Sequence, residues 1–188
     1  DKNAKVRYVE KHYGSGDGSG ERIMNPTTEI HLAQGAFLEM ETVQIKGIDS
    51  TARTTTAEVA EGAGLVIKEK IMTHGKQYAE TDFTVNMAGD NSSVNLISRS
   101  VAKDRSRQIF RSRIVGNASC HGHSECDAII MDEASVSAIP ELTANHIDAN
   151  LIHEAAIGKI AGEQLIKLMT LGLTEKEAVE QIVKGFLK

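Results

Sequence analysis

Short strand-like runs recur along this chain at nearly constant spacing, and that recurrence limits its architecture more than any other feature. From Ile30 to about Leu151 the texture is EIHLAQGAFLEMETVQI, TAEVAEGAGLVIKEKI, FTVNMAGDNSSVNLISRSV and DAIIMDEASVSAIPEL. Apolar and polar residues alternate and β-branched residues are frequent, which reads as strand. Each run sets an apolar anchor before a small or acidic turn, at Leu32, Val59, Met87, Val115, Met131 and Ile147. The steps from Leu32 to Val59, Met87 and Val115 are nearly equal, and the last two, to Met131 and Ile147, are much shorter. A strand–turn–strand unit that buries its apolar face only on its neighbours is the pattern of a β-solenoid. A β-sandwich also spaces short strands regularly and is the alternative.

Composition favours stacked rungs. Aromatic residues make up only 4% of the chain, with no Trp, so the core must be aliphatic, and Pro is confined to Pro26 and Pro140. The Gly-rich KHYGSGDGSGER reads as a loop or wide hairpin. It is not a phosphate-binding loop, because the Lys-Ser/Thr ending and the strand–helix setting are missing. The start at DKNAKVRYVE is abrupt, and further sequence is expected before it.

After Glu154 the period changes from 2 to 3.6. GEQLIKLMTLG aligns Leu165, Ile166 and Met169 on one helical face, with Gly172 suited to the left-handed position after the helix. Thr174 and Glu177 form a capping box ahead of a second helix whose apolar face is Ala178, Val179, Ile182, Val183 and Phe186. The expected division is a β-solenoid over 1–152 and a helical subdomain over 153–188. Two such helices are too small to stand alone and must pack on the solenoid, on a partner or on both.

With 188 residues the chain can bury one sizeable core. Its 21 Lys plus Arg against 26 Asp plus Glu leave a formal charge of −5, which argues against a nucleic-acid surface. No apolar run is long enough to span a bilayer. Two cysteines make no disulfide framework and suit a reducing cytoplasm, which is the expected location.

The densest chemistry lies in GNASCHGHSEC, residues 116–126, where Cys120, His121, His123, Glu125 and Cys126 crowd together. If this stretch is strand, Cys120, Gly122, Ser124 and Cys126 share one face while His121, His123 and Glu125 share the other. The four soft donors then cannot converge on one zinc ion unless a turn intervenes near Gly122. The two thiols would sit roughly 20 Å apart, too far for a disulfide without a fold-back. Cys126, followed by DAIIM, also suits a small buried rung residue. A second candidate is LIHEAAIGKI, with His153 and Glu154 at the expected strand-to-helix transition. The HExxH zinc motif is absent because residue 157 is Ile.

CDAIIM, the spacing to Pro140, and LIHEAAIGKIAGEQLIKLMTLGLTEKEAVEQIVKGF together resemble the C-terminal part of the Suf-type iron–sulfur cluster scaffold family, the SufB/SufD proteins. NPTTEIHLAQGAFLEMETVQIKGIDSTARTTTAEVAEGAG and HGKQYAETDFTVNM resemble its short, SufB-like members. The resemblance covers nearly the whole chain. It implies a right-handed parallel β-helix with a helical C-terminal subdomain, dimerisation through the β-helix edge as a homodimer or with a paralogue, and docking of a SufC-type ABC ATPase on the C-terminal helices. It also implies a sulfur donor, a transient iron–sulfur cluster built at the dimer interface, and apo-protein acceptors. The family match makes Cys126 a sulfur acceptor and cluster ligand. It adds His153 and a SufB-type Glu154 as further metal ligands.

Two departures stand out: Ile152 replaces an acidic residue before the His-Glu pair, and YVEKHYG carries His12 but no thiol. Cys120 matches no family position and reads as a second thiol or a plain rung residue, with His121 and His123 as further potential ligands. The expected function is therefore an assembly scaffold and not an enzyme, with ATP hydrolysis in the partner, since the chain has no Walker motif. The alternatives are a β-helix carbohydrate-active enzyme, which the scarcity of aromatic residues disfavours, and a purely structural solenoid.

Overall fold

The computed structural model describes residues 1–15 and 20–188, so the centre of the Gly-rich stretch read as a loop or hairpin lies outside the described residues. Twelve strands and two helices are described: β1 (Lys5–Tyr13), β2 (Ile23–Met24), β3 (Thr27–Leu32), β4 (Phe37–Lys46), β5 (Ser50–Val59), β6 (Gly64–Thr73), β7 (Tyr78–Met87), β8 (Ser92–Ala102), β9 (Arg107–Gly116), β10 (Cys120–Ile130), β11 (Ser135–Ala144), β12 (Ala149–Gly158), α1 (Gly162–Thr170) and α2 (Glu175–Phe186). Alternate strands fall into two sheets. One runs β1-β4-β6-β8-β10-β12; the other runs β11-β9-β7-β5-β2, with β3 also on β5. Neighbouring strands are parallel in both sheets, so each pair of strands is one coil of a two-sided β-solenoid. The sandwich alternative, which needs antiparallel Greek-key pairing, is thereby removed.

The register gives the true repeat. Phe37 faces Gly64, Ser50 faces Tyr78, Tyr78 faces Arg107 and Cys120 faces Ala149, so every coil has nearly the same length. Leu32, Val59 and Met87 are successive partners at one corner, and the next is Gly116, not Val115, which pairs with Asn86. Met131 belongs to the opposite corner, between β10 and β11, so the two short steps in the anchor series mixed two kinds of turn. Both corners need a left-handed backbone. At one it is supplied by Gly35, Gly62 and Asn91, at the other by Gly75, Asp104 and Asp132, all with φ between 56 and 69°. These are the residue types that tolerate positive φ.

Inside, strict alternation sends Met40, Leu65, Ile67, Phe83, Met87, Leu96 and Ile114 into an apolar core, each at most 1% exposed. Phe83 and Phe110 meet as a tilted pair with centroids 5.9 Å apart. Pro140 lies on β11, an edge strand, where a missing backbone N–H can be tolerated.

β12 continues to Gly158, so His153 and Glu154 sit mid-strand, and the helical segment begins only at Gly162. Pairing with β10 through Ile129↔Gly158 holds this Ala-rich stretch extended. α1 ends with Gly172 at φ 94°, and the Thr174–Glu177 capping box opens α2 as the sequence suggests.

Candidate functional site

Parity along β10 sorts the GNASCHGHSEC stretch as expected for a strand. Cys120, Gly122, Ser124 and Cys126 are buried, while His121 is exposed and His123 and Glu125 are half-buried on the outer face. Both thiols are free. Gly122 is required by packing: a Cβ there would come within 2.7 Å of Leu151 Cδ2 and 3.0 Å of Ile114 Cγ2. A closed zinc knuckle is therefore not formed. Among the described residues no three His, Cys, Asp or Glu side chains come together as a metal cage.

Cys126 belongs to an inward-facing polar column. Glu69 on β6 pairs in register with Ser98 on β8, and Ser98 with Cys126 on β10. Both oxygens of the buried Glu69 carboxylate accept hydroxyl hydrogen bonds, from Thr81 Oγ1 at 2.8 Å and Ser98 Oγ at 2.9 Å. Burial raises the pKa of this carboxyl, against the pull of the two hydroxyls and Arg53. Burial, helped by the Glu69 and Asp127 carboxylates, pushes the Cys126 thiol up to about 12. The thiol is protonated at neutral pH. Burial likewise raises Cys120, which packs in the core beside Gly116.

His153 pairs with Ser124, whose hydroxyl meets Ser112 Oγ at 2.9 Å across the interior. It therefore projects inward, as a diagonal neighbour of Cys126 on the last rung of its sheet. Its Nδ1 is buried without a well-formed hydrogen bond, only the Ser124 backbone lying near the ring, and burial lowers its pKa against that pull. A buried ring nitrogen so poorly satisfied is costly unless something else uses it.

Glu154 has the opposite parity. It lies on the outer face, 3.7 Å from His123 Nε2 through Oε2. The three residues assigned by resemblance thus divide within one chain, with Cys126 and His153 inside and Glu154 outside. His12, in the stretch that lacks a thiol, meets the Glu10 carboxylate through Nε2. Its Nδ1 accepts from Arg53 Nη2 at 3.0 Å. That arrangement ties the first coil to a buried guanidinium.

Sequence reading missed Glu69, Ser98 and Asn95. Glu69 carried a signal: in LVIKEKI it shares parity with Leu65, Ile67 and Ile71, which places a carboxylate on the core face.

Comparison with known proteins places the chain in a family. Residues 42–186 match the family described as SUF system FeS cluster assembly, SufBD core domain. An iron-sulfur cluster assembly SufBD family protein of Archaeoglobus fulgidus is 32% identical over all of this chain and half of its own length. One from Methanocaldococcus jannaschii is 31% identical over 99% of this chain and 59% of its own length. One from Methanothermobacter thermautotrophicus is 40% identical over 99% of this chain and 45% of its own length. The chain thus spans about half the length of these relatives. With a family match across most of the solenoid and both helices, the chain belongs to the SufBD family of iron–sulfur cluster assembly proteins.

Proposed function

We propose that this chain is the scaffold portion of an iron–sulfur cluster assembly protein, with Cys126 receiving sulfur and His153 and Glu154 contributing to the metal-holding site. The observation that carries this reading is that the free, buried Cys126 thiol and the His153 ring share the inward face as diagonal neighbours on adjacent strands near the open end of the solenoid. At rest the thiol is protonated and shielded from oxidants. Coordination of iron would displace that proton to solvent, leaving a thiolate and a neutral imidazole as ligands. Thiolate and imidazole both suit iron, and a mixed ligand set suits a cluster that must later be released.

The working unit is a dimer formed through the solenoid edge. The C-terminal helices dock an ABC-type ATPase of the SufC kind, and a separate donor supplies sulfur. Cluster cargo then passes to apo-proteins. The chain acts as an assembly scaffold, and nucleotide hydrolysis belongs to the partner.

Anaerobic reconstitution with ferrous iron and sulfide tests the site. Wild type should develop the visible absorption of a bound cluster, and Cys126→Ser should fall to the level of a no-protein control. Equal cluster yield from both proteins, each folded by circular dichroism, would show that Cys126 is not the acceptor.

A further inference from the structure

The outer face of the first sheet gives Glu154 a neighbour that the proposed scaffold site does not include. His123 on β10 stands between Asn95 on β8 and Glu154 on β12. Asn95 Oδ1 lies 3.0 Å from His123 Nδ1. An amide oxygen only accepts, so in this orientation Nδ1 carries the ring proton and Nε2 keeps its lone pair. Carbonyl or carboxylate partners of this kind commonly fix the tautomer of metal-bound histidines.

Nε2 is aimed at Glu154, whose Oε2 is 3.7 Å away. A charge-assisted N–H···O bond would close to about 2.7–2.9 Å. Two donors sharing one ion stand further apart. With each about 2.1 Å from the metal, a separation of 3.7 Å subtends an angle of about 120° at the ion. His121, two residues along the same face, and Asn150 line a cavity of about 250 Å³ with His123. His123 and Glu154 are 31% and 68% exposed, so an ion from solvent can reach both. Two protein ligands leave the remaining coordination positions to water or to a second molecule, which suits a cargo ion that must leave.

We propose that His123 and Glu154 form a loading site for divalent iron on the outer face of the solenoid, with Asn95 holding His123 in its ligating tautomer. Sulfur and iron are then received on opposite faces of one sheet, the thiol inside and the metal outside. The identity of the ion rests on the cluster-assembly reading; the site itself does not.

Cobalt(II), titrated anaerobically into the full chain without sulfide in competition with a metal-binding dye, tests it. The bound ion should show nitrogen and oxygen ligand-field bands and no thiolate-to-cobalt charge-transfer band. His123→Ala and Glu154→Gln should each weaken binding by more than about tenfold, and Asn95→Ala by about 10–100-fold. His74→Ala, at an exposed corner, should bind like wild type. A thiolate charge-transfer band would place the metal on the inner face and overturn the proposal. So would wild-type affinity in folded His123→Ala and Glu154→Gln. Because no sulfide is present, this titration and the Cys126→Ser reconstitution fail independently: one reports the outer pair, the other the scaffold function.

Discussion

At the scale of single residues, the most consequential group is one the family match did not point to. Glu69 is buried and held by two hydroxyls, with its pKa raised above that of an exposed carboxyl. A raised folded pKa contributes stability that is fully present below the unfolded value near 4.5 and is lost as pH rises through the folded value. Glu69→Gln, permanently neutral, should therefore gain on wild type as pH rises from 4.5 towards 8. Urea midpoints measured across that range check it, and a pH-independent difference would show that Glu69 does not titrate there. At this scale the sequence was legible wherever alternation held: that Cys120 and Cys126 share one face and His121 the other follows from period 2, and the stack shows that the cysteine face is the buried one. The pairing of His123 with Glu154 was not legible, because it depends on which residue of β12 lies beside β10. Register between strands a full coil apart is set by the turns and the core.

Elements show a different balance. The capping box of α2 was readable because a cap is a local exchange of hydrogen bonds, and Glu177 Oε2 does accept from the Thr174 N–H at 2.8 Å. The start of the helical segment was not. HEAAIGK contains residues comfortable in a helix, and tertiary pairing with β10 overrides that preference. Ala161, at the N-terminus of α1, makes no side-chain cap that could have marked the boundary. No residue of α1 is buried, and Ile166 and Met169 are 63% and 43% exposed. That uncovered apolar face fits the proposed ATPase docking. Deleting residues 163–188 should abolish co-purification of the ATPase subunit while leaving the β-sheet circular dichroism signal intact. Retained co-purification would move the docking surface elsewhere.

Taken as a whole molecule, the solenoid was legible as a repeat but not as a count. Small turn residues recur at both corners, and treating them as one series produced the false short steps. The pattern also could not show that the inward column changes from apolar to polar along the strand, from Ile67 and Leu96 to Glu69, Ser98 and Cys126, since that requires the stack itself. At the last described rung Ile157 is 39% exposed and Leu142 37%, where no further coil among the described residues covers them. For the proposed dimer, sedimentation should give two copies for wild type and a single copy for Ile157→Asp. A monomeric wild type at micromolar concentration, or a dimeric Ile157→Asp, would remove this rung from the interface.

β11 and β12 leave their outward-going amide and carbonyl rows without a neighbour among the described residues. Such a row is a template for another strand. If the first rung of a second copy were laid on it in the parallel sense, the same join would be offered again at the far side, and growth would have no end. A two-fold join, in which like edge meets like edge, consumes both templates at once. The handedness of a single contact thus separates a finite assembly from a filament, and a substitution that weakens the symmetric join should be watched for fibres as well as for monomers.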